Sequence, residues 1–397
     1  MTPTRVAHAA GGLLFLFGAW GLYGRLVHGH LHAGYGSYVM WGLWVAMYLF
    51  FAGVAAGAFM MATLDFLFHV RAFRGTGRLA LWVSLCSLAA GLLLIGLDLG
   101  HLERFWRVYL HGNPGSLMFQ MVWGYTLFGL VLAGVLYLAV RSPEGRPLHL
   151  LLVTGVGLLL ALFVSGAVGA LLGVLANRPF WHVGLFPVQF PVFSLASGMA
   201  AMLVALAFFG PRDDPRLPDQ LRLLSLGTVV LSLVKLYFLW ADFSQSIYGN
   251  IPENVRAVKA VLFGPYWWVF WVLQLVLGTL VPMAVLARPG LARRPAWAGW
   301  MGVLVLVGYA VARLNIIIPA LAFPELRGLD LAYREPRLTF TYFPSLEEWQ
   351  VLAFALSVAL ALFCAGWHYL PLMAREGDAG RTGPGGERNP LPASSQK

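Results

Sequence analysis

Charged side chains are scarce in this sequence. Only 11% of the 397 residues are Asp, Glu, Lys or Arg, whereas a soluble domain usually carries about 25%. Hydrophobic residues make up 59% of the chain, and the mean hydropathy is +0.74. A soluble protein could not cover so much apolar surface with polar groups, so the composition indicates an integral membrane protein. The 45 glycines and 15 tryptophans agree with this class, because Gly is frequent within membrane helices and Trp at their ends.

Cysteine is almost absent. Cys86 and Cys364 both lie inside apolar runs, and no C-x-x-C pair occurs. The chain alone therefore cannot hold an iron–sulfur cluster or a structural zinc ion, and we expect no metal site in it. A disulfide scaffold is excluded for the same reason. The histidines lie near the ends of apolar runs or between them, so we expect no haem held by two facing imidazoles.

Apolar runs long enough to cross a membrane dominate the chain. A membrane-spanning helix needs about 20 apolar residues, and ten segments meet this requirement. They cover roughly 7–27, 39–68, 79–101, 118–140, 149–176, 191–209, 221–248, 261–287, 297–320 and 349–373. We predict an all-α integral membrane domain over residues 1–373 with about ten transmembrane helices. Residues 374–397 are rich in Gly, Pro, Ser and Arg, which predicts a disordered tail.

The basic residues indicate an orientation. The net charge of +10 could suggest a nucleic-acid partner in a soluble protein, but here Lys and Arg concentrate in short connections between apolar runs. The termini and the connections after the even-numbered spans carry more of them than the other connections. The positive-inside rule then predicts that both termini are cytoplasmic, in the cell (inner or plasma) membrane. The opposite connections are longer and rich in aromatic residues, His, Pro and Gly, and we expect them to carry a binding function.

The end of the third span holds the strongest cluster of ionisable residues. Asp98, His101 and Arg104 follow one another at intervals of three, so they share a face if the helix continues. An acid, an imidazole and a guanidinium at the membrane edge could bind a polar head group and exchange its proton. The alternative is an ion-pair network that locks the helix end.

Aromatic residues mark the starts of spans two and four. Trp44 and Tyr48 are four residues apart in span two, and Trp123 lies near the start of span four. They could form a flat wall for a ring-shaped lipophilic ligand or an aromatic belt at the membrane surface. The small residues around Gly53 and Gly57 in span two predict close helix packing.

Four other ionisable residues lie within apolar runs, where charge is costly and often functional. They are Asp65, Lys235, Asp242 and Arg313. A proton path and structural ion pairs are both open interpretations. Asp65 lies near the cytoplasmic end of its span, where capping explains it as well as proton transfer does. For Arg313 we expect Asp242 or a backbone carbonyl as the partner.

Several segments resemble one family of membrane proteins. The run from Met40 to Ala58 resembles the opening core helix of the NrfD/PsrC (polysulfide reductase membrane subunit) family. Residues 98–107 followed by 113–116, and the run 177–181, are similar to that family's next signatures. Segments between Arg313 and Trp349 look like its ten-span HybB/DsrP-like branch. The resemblance covers nearly the whole chain.

The resemblance implies a haem-free subunit that binds quinone, either menaquinone or ubiquinone. It implies two four-helix bundles, spans 2–5 and 6–9, with peripheral first and last helices. Electrons would pass to or from a ferredoxin-like iron–sulfur subunit on the extracytoplasmic face, which connects to a further catalytic or cytochrome subunit. The implied quinone-binding residues are Trp44, Tyr48, Asp98, His101 and Trp123, to which the sequence pattern adds Arg104.

One departure from the family and two rival functions remain. Relatives often place Tyr or His-Gln in span five, where this chain has Val164-Ser165-Gly166. A proton-conducting or secondary transporter-like subunit could use the same buried charges, and it predicts broken spans at corresponding places in two halves. A purely structural anchor is the third hypothesis.

Overall fold

A computed structural model describes residues 3–142, 147–324, 328–332 and 338–373. Ten helices in these ranges are long and apolar enough to cross a membrane, which confirms the predicted class. They are α1 (Pro3–His28), α2 (Leu43–Phe66), α3 (Gly77–Asp98), α4 (Leu117–Arg141), α5 (Leu148–Gly173), α6 (Phe186–Phe209), α7 (Leu217–Tyr248), α8 (Val269–Leu286), α9 (Pro295–Leu321) and α10 (Leu346–Tyr369). The predicted tail, 374–397, lies outside the described residues.

The helices form two four-helix bundles. In the first bundle, α2 packs on α3 and α5, and α4 packs on the same two helices. In the second, α6 packs on α7 and α9, and α8 completes the ring. The first and last helices pair with each other, and α10 rests on α3. The arrangement agrees with two bundles and a peripheral pair.

The bundles meet where α2 crosses α6. Gly57 and Gly198 lie at this crossing, and a Cβ atom on Gly57 would stand only 1.8 Å from the carbonyl oxygen of Ser194. A Cβ atom on Gly198 would stand 2.1 Å from the carbonyl carbon of Gly57. Backbones approach this closely only where side chains are missing. The small residues of span two therefore serve to join the two bundles.

Most span ends lie within a few residues of the predicted positions, and three of the differences have a structural reason. Helix α3 ends at Asp98 rather than near 101, because Leu99 adopts an extended conformation. Helix α6 begins at Phe186 rather than 191 and includes Pro191 in its first turns. The eighth span begins at Val269 rather than 261, because Pro252–Phe263 forms a separate helix before it. Within α8, Val269–Leu280 has π-helical geometry.

Alternating helices give the molecule two ends. The odd-numbered spans finish at the end where α3 reaches Asp98, and the even-numbered spans start there; we call this the Asp98 end. The opposite end carries the short connections predicted to be cytoplasmic, and we call it the basic end. At the Asp98 end, the indole Nε1 atom of Trp181 donates a hydrogen bond to the carbonyl oxygen of Ile316 at 2.7 Å. This bond joins the connection before α6 to α9.

Candidate functional site

Asp98 is the last residue of α3, and its Oδ1 atom is buried with no hydrogen-bond partner in the described part of the chain. The buried Arg25 of α1 secures the backbone around it. Its Nε atom donates to the carbonyl oxygen of Leu97 at 2.5 Å, and its Nη2 atom donates to that of Leu99 at 2.6 Å. A guanidinium satisfies the free carbonyls of a helix end well. The first helix thus fixes the helix end that presents Asp98.

The connection between α1 and α2 brings an imidazole and a phenol to this carboxylate. The hydroxyl of Tyr35 lies 2.5 Å from His30 Nδ1, in a hydrogen bond whose donor depends on the ring tautomer. Tyr35 also interacts with the carboxylate of Asp98. The ring of Trp44 lies 5.8 Å from that of Tyr35 and 6.0 Å from that of His30. We call His30, Tyr35, Trp44 and Asp98 the Asp98 cluster.

Burial and neighbouring charges set the protonation of the two loop residues. Burial raises the pKa of the Tyr35 phenol well above its usual value, and the carboxylates of Asp98 and Glu348 raise it further. Burial lowers the pKa of the His30 imidazole, and the positive charge of Arg25 lowers it further. At neutral pH the phenol therefore keeps its proton and the imidazole is uncharged. The pair can then exchange a proton without creating a lasting charge.

Glu348 of α10 secures the loop that carries this pair. Its buried carboxylate accepts hydrogen bonds from the backbone amides of Gly34 at 2.7 Å, Leu43 at 3.1 Å and Ser345 at 3.2 Å. The hydroxyl of Tyr342 donates to the same carboxylate. The last helix therefore ties the start of α2 to the loop before it.

Sequence reasoning missed the four residues Arg25, His30, Tyr35 and Glu348. His30 and Tyr35 lie in the connection between α1 and α2, a segment rich in His, Tyr and Gly that drew attention as a whole, although these two residues were not singled out. Glu348 had a local signal, because Ser345-x-x-Glu348 matches a capping box, and the structure forms that box. Nothing in the sequence signalled that Arg25 would reach α3.

Of the predicted quinone-binding residues, the structure brings only Trp44 and Asp98 into one cluster. Tyr48 lies one turn further along α2, where its ring is 6.0 Å from that of Tyr125. Trp123 packs its ring 5.3 Å from that of Tyr109. These two residues therefore lie outside the Asp98 cluster.

The expectation that Asp98, His101 and Arg104 share a helix face is wrong. The helix stops at Asp98, and the two later residues lie in and beside a 3-10 turn. His101 Nδ1 is 3.0 Å from Glu103 Oε1, and Arg104 Nε is 3.4 Å from the same oxygen. All three side chains are more than half exposed. Beyond the helix end, His101 and Arg104 therefore both contact the carboxylate of Glu103.

Two of the predicted proton-path residues meet in the second bundle. The buried Lys235 Nζ donates to Thr279 Oγ1 at 3.0 Å and lies 4.4 Å from the ring centre of Tyr309. Thr279 Oγ1 donates in turn to the carbonyl oxygen of Gln274 at 2.7 Å, five residues earlier in the π-helical stretch. Arg313 lies near Tyr309 as well. The buried ammonium group is thus linked through one hydroxyl to a backbone carbonyl in the interior of the second bundle.

Arg313 does not pair as predicted. Its guanidinium carbon lies 4.0 Å from the ring centre of Phe190, so its partner is an aromatic face and not Asp242 or a carbonyl. Its Nη1 atom is buried without a hydrogen-bond partner among the described residues. Asp65 lies at the basic end, where Oδ2 accepts from the amides of Gly75 at 2.8 Å and Gly77 at 3.0 Å. That is the capping role considered for it.

These observations define a multi-pass membrane protein whose described residues form ten candidate spans in two bundles, with a part-buried acid–phenol–imidazole cluster at one end of the helices. The chain belongs to the family described as "Polysulphide reductase, NrfD", which matches residues 33–325. The matched range begins after α1 and ends before α10. Arg25, His30 and Glu348 lie outside this matched range.

Relatives resemble this chain over almost all of its length. A subunit of selenate reductase from Mesobacillus selenatarsenatis is 29% identical over 92% of this chain and 94% of its own length. The Hdr-like menaquinol oxidoreductase integral membrane subunit of Archaeoglobus fulgidus is 26% identical over 84% and 85%. The integral membrane subunit of menaquinone reductase of Nitratidesulfovibrio vulgaris is 24% identical over 93% and 92%.

Proposed function

We propose that the chain is the haem-free quinone-binding membrane anchor subunit of a multi-subunit respiratory oxidoreductase. It exchanges electrons between the membrane quinone pool, menaquinone or ubiquinone, and an iron–sulfur partner subunit on the extracytoplasmic face. The names of two relatives support the substrate class, since one is a menaquinol oxidoreductase subunit and another a menaquinone reductase subunit. The scarcity of cysteine supports placing the clusters in a partner.

The observation that carries the proposal is the unsatisfied carboxylate oxygen of Asp98. A buried acceptor without a donor costs about 1–3 kcal/mol, and a quinol hydroxyl is a donor that could satisfy it. Trp44 and Tyr35 supply flat aromatic surfaces beside it. A carboxylate that can take a proton, next to aromatic rings at a membrane edge, suits a ring-shaped lipophilic substrate whose hydroxyls lose protons on oxidation.

Exposed apolar side chains next to the cluster support lateral entry from lipid. Leu99, Leu102 and Phe105 follow Asp98 directly and are all more than a third exposed. A substrate with a long apolar tail could leave that tail among them while its ring meets Asp98. We assign His101 and Arg104 to the mouth of this site. Tyr48 would lie at its inner limit and Trp123 on its lipid-facing wall.

The charge distribution supports the orientation in the proposal. The basic end carries the predicted cytoplasmic connections, with both termini on that side. The Asp98 end then faces the outside, and its loops form the docking surface for the iron–sulfur subunit. A further catalytic or cytochrome subunit would complete the electron path.

Purification from native membranes in mild detergent tests the proposal. We expect bound menaquinone or ubiquinone and a ferredoxin-like subunit to accompany the chain. The substitution Asp98→Asn should lower binding of a quinone analogue, whereas Asp213→Asn, on an exposed residue of the basic end, should leave it unchanged. A chain that purifies alone and binds no quinone analogue would contradict the proposal.

Proton conduction through the second bundle is a second candidate function. The buried hydrogen bonds that join Lys235, Thr279 and Gln274 favour it. Transport by two matched halves receives less support. The π-helical stretch of α8 has no counterpart in α4, which occupies the corresponding place in the first bundle and is α-helical throughout. Lys235→Met tests conduction: proton uptake by vesicles holding the complex should fall while quinone binding persists.

A further inference from the structure

The Asp98 cluster contains more polar groups than substrate binding alone requires. Asp98 can meet a substrate hydroxyl through its free Oδ1 atom. Tyr35 interacts with that carboxylate from the loop side, and its hydroxyl lies 2.5 Å from His30 Nδ1. His30 is half-buried in the loop after α1, and its Nε2 atom is buried with no hydrogen-bond partner among the described residues. The three groups therefore form a chain that runs from the carboxylate through the phenol to the imidazole.

We propose that Asp98, Tyr35 and His30 form a proton relay that accepts the protons of the substrate, with His30 as its last member. The inference rests on the function proposed above and deepens it. On oxidation, the first quinol O–H bond breaks, its proton binds the Asp98 carboxylate, and the electrons leave one at a time to the iron–sulfur partner. The proton then moves to Tyr35 as the Tyr35 proton moves to His30, which frees the Asp98 carboxylate for the proton of the second O–H bond. Reduction of quinone uses the same steps in reverse.

The neighbouring charges suit this task. Arg25 of α1 and Glu348 of α10 both act on the cluster, and the Tyr342 hydroxyl donates to Glu348. Burial and Arg25 keep the pKa of His30 below its usual value, so its ring is free to accept a proton at neutral pH. A relay histidine that was already charged could not take one.

The geometry also explains why the loop is held so firmly. Proton transfer needs donor and acceptor at hydrogen-bonding distance, and a mobile loop would separate Tyr35 from Asp98. Glu348 holds the amide of Gly34, the residue next to Tyr35, at 2.7 Å. Trp44 packs against both Tyr35 and His30. The loop is therefore fixed on both sides of the phenol.

The complex purified from its own membranes provides the test, with a short-chain naphthoquinol as donor and ferricyanide as electron acceptor. We expect Tyr35→Phe, which keeps the ring, to lower kcat at least about 10-fold with KM changed less than 2-fold. The solvent deuterium isotope effect on kcat should rise. His30→Ala should lower kcat similarly, and added imidazole should restore part of it.

His32→Gln is the matched control, because His32 lies in the same loop but is 57% exposed and pairs with Glu347 rather than with the cluster. Its kcat and isotope effect should equal those of the unmodified protein. Unchanged kcat in Tyr35→Phe and His30→Ala would overturn the relay. If the unmodified complex did not oxidise the quinol, the proposed function itself would be overturned. The two failures are therefore distinguishable.

Discussion

The carboxylate of Glu348, in the first turn of α10, accepts a hydrogen bond from the backbone amide of Leu43, the first residue of α2, at 3.1 Å. Helix α10 lies outside the range that the family model matches, whereas α2 lies within it and is the central helix of the first bundle. The peripheral helix therefore supplies the cap of a core helix. Anions stabilise a helix N-terminus, where backbone amides lack partners.

Replacing Glu348 should destabilise the protein. The substitution Glu348→Ala removes the acceptor of the Gly34 and Ser345 amides and of the Tyr342 hydroxyl, whereas the Leu43 amide keeps the Tyr342 oxygen as an acceptor at 2.7 Å. Hydrogen bonds to a charged group contribute about 1.5–3 kcal/mol each, so we expect a loss of about 3 kcal/mol or more. Thermal unfolding in detergent measures it. Glu348→Gln, which keeps one acceptor oxygen, should lose less.

The substitution Asp219→Asn is the control for Glu348→Ala. Asp219 is also a carboxylate in the first turn of a membrane helix, but it is exposed and pairs with Arg293 at 3.0 Å. Exposed pairs contribute less than about 1 kcal/mol. Equal losses of stability in the two variants would contradict the role assigned to Glu348.

Arg25 should set the pH dependence of turnover. Its positive charge helps to keep the pKa of His30 low, so Arg25→Gln should raise that pKa. His30 would then become charged at a higher pH, and the acid side of the pH–rate profile should move upward by roughly half a unit to one unit. Arg25→Lys keeps the charge and should leave the profile near its original position. A profile that moves equally in both variants would show a structural effect instead.

Arg313 should prove dispensable for stability. Its guanidinium is buried against Phe190 with one nitrogen unsatisfied, and an apolar replacement of such a group is often neutral or stabilising. We expect Arg313→Met to unfold at the same temperature or higher. Arg178→Met is the contrast, because Arg178 donates to the carbonyl oxygens of Ala320 and Phe323 at 3.0 Å each. A large loss of stability in Arg313→Met would show that a hidden partner exists.

The sequence predicted the ten helices because a membrane span depends on local hydrophobicity, which composition reveals directly. It also identified Asp98 and Trp44, which are unusual residues near span ends. It failed at His101 because the end of α3 depends on an extended residue, Leu99, held by Arg25 from another helix. It missed His30, Tyr35 and Glu348 because their role comes from contacts between segments distant in the chain. Which residues become neighbours in such a cluster depends on the tertiary structure, which local sequence patterns do not reveal.

The crossing of α2 and α6 should tolerate no added side chain. In Gly57→Ala the new methyl group would overlap the Ser194 carbonyl oxygen, 1.8 Å away, and the contact is backbone that cannot rotate aside. Overpacking usually costs about 1–3 kcal/mol, and this overlap should reach at least the upper part of that range because whole helices must separate. Gly134→Ala, where a Cβ atom meets nothing within 4 Å, should be neutral or stabilise the helix by up to about 1 kcal/mol. Thermal unfolding of the two variants side by side measures the difference. If Gly57→Ala unfolds at the temperature of Gly134→Ala, the two bundles do not meet as closely as the structure shows.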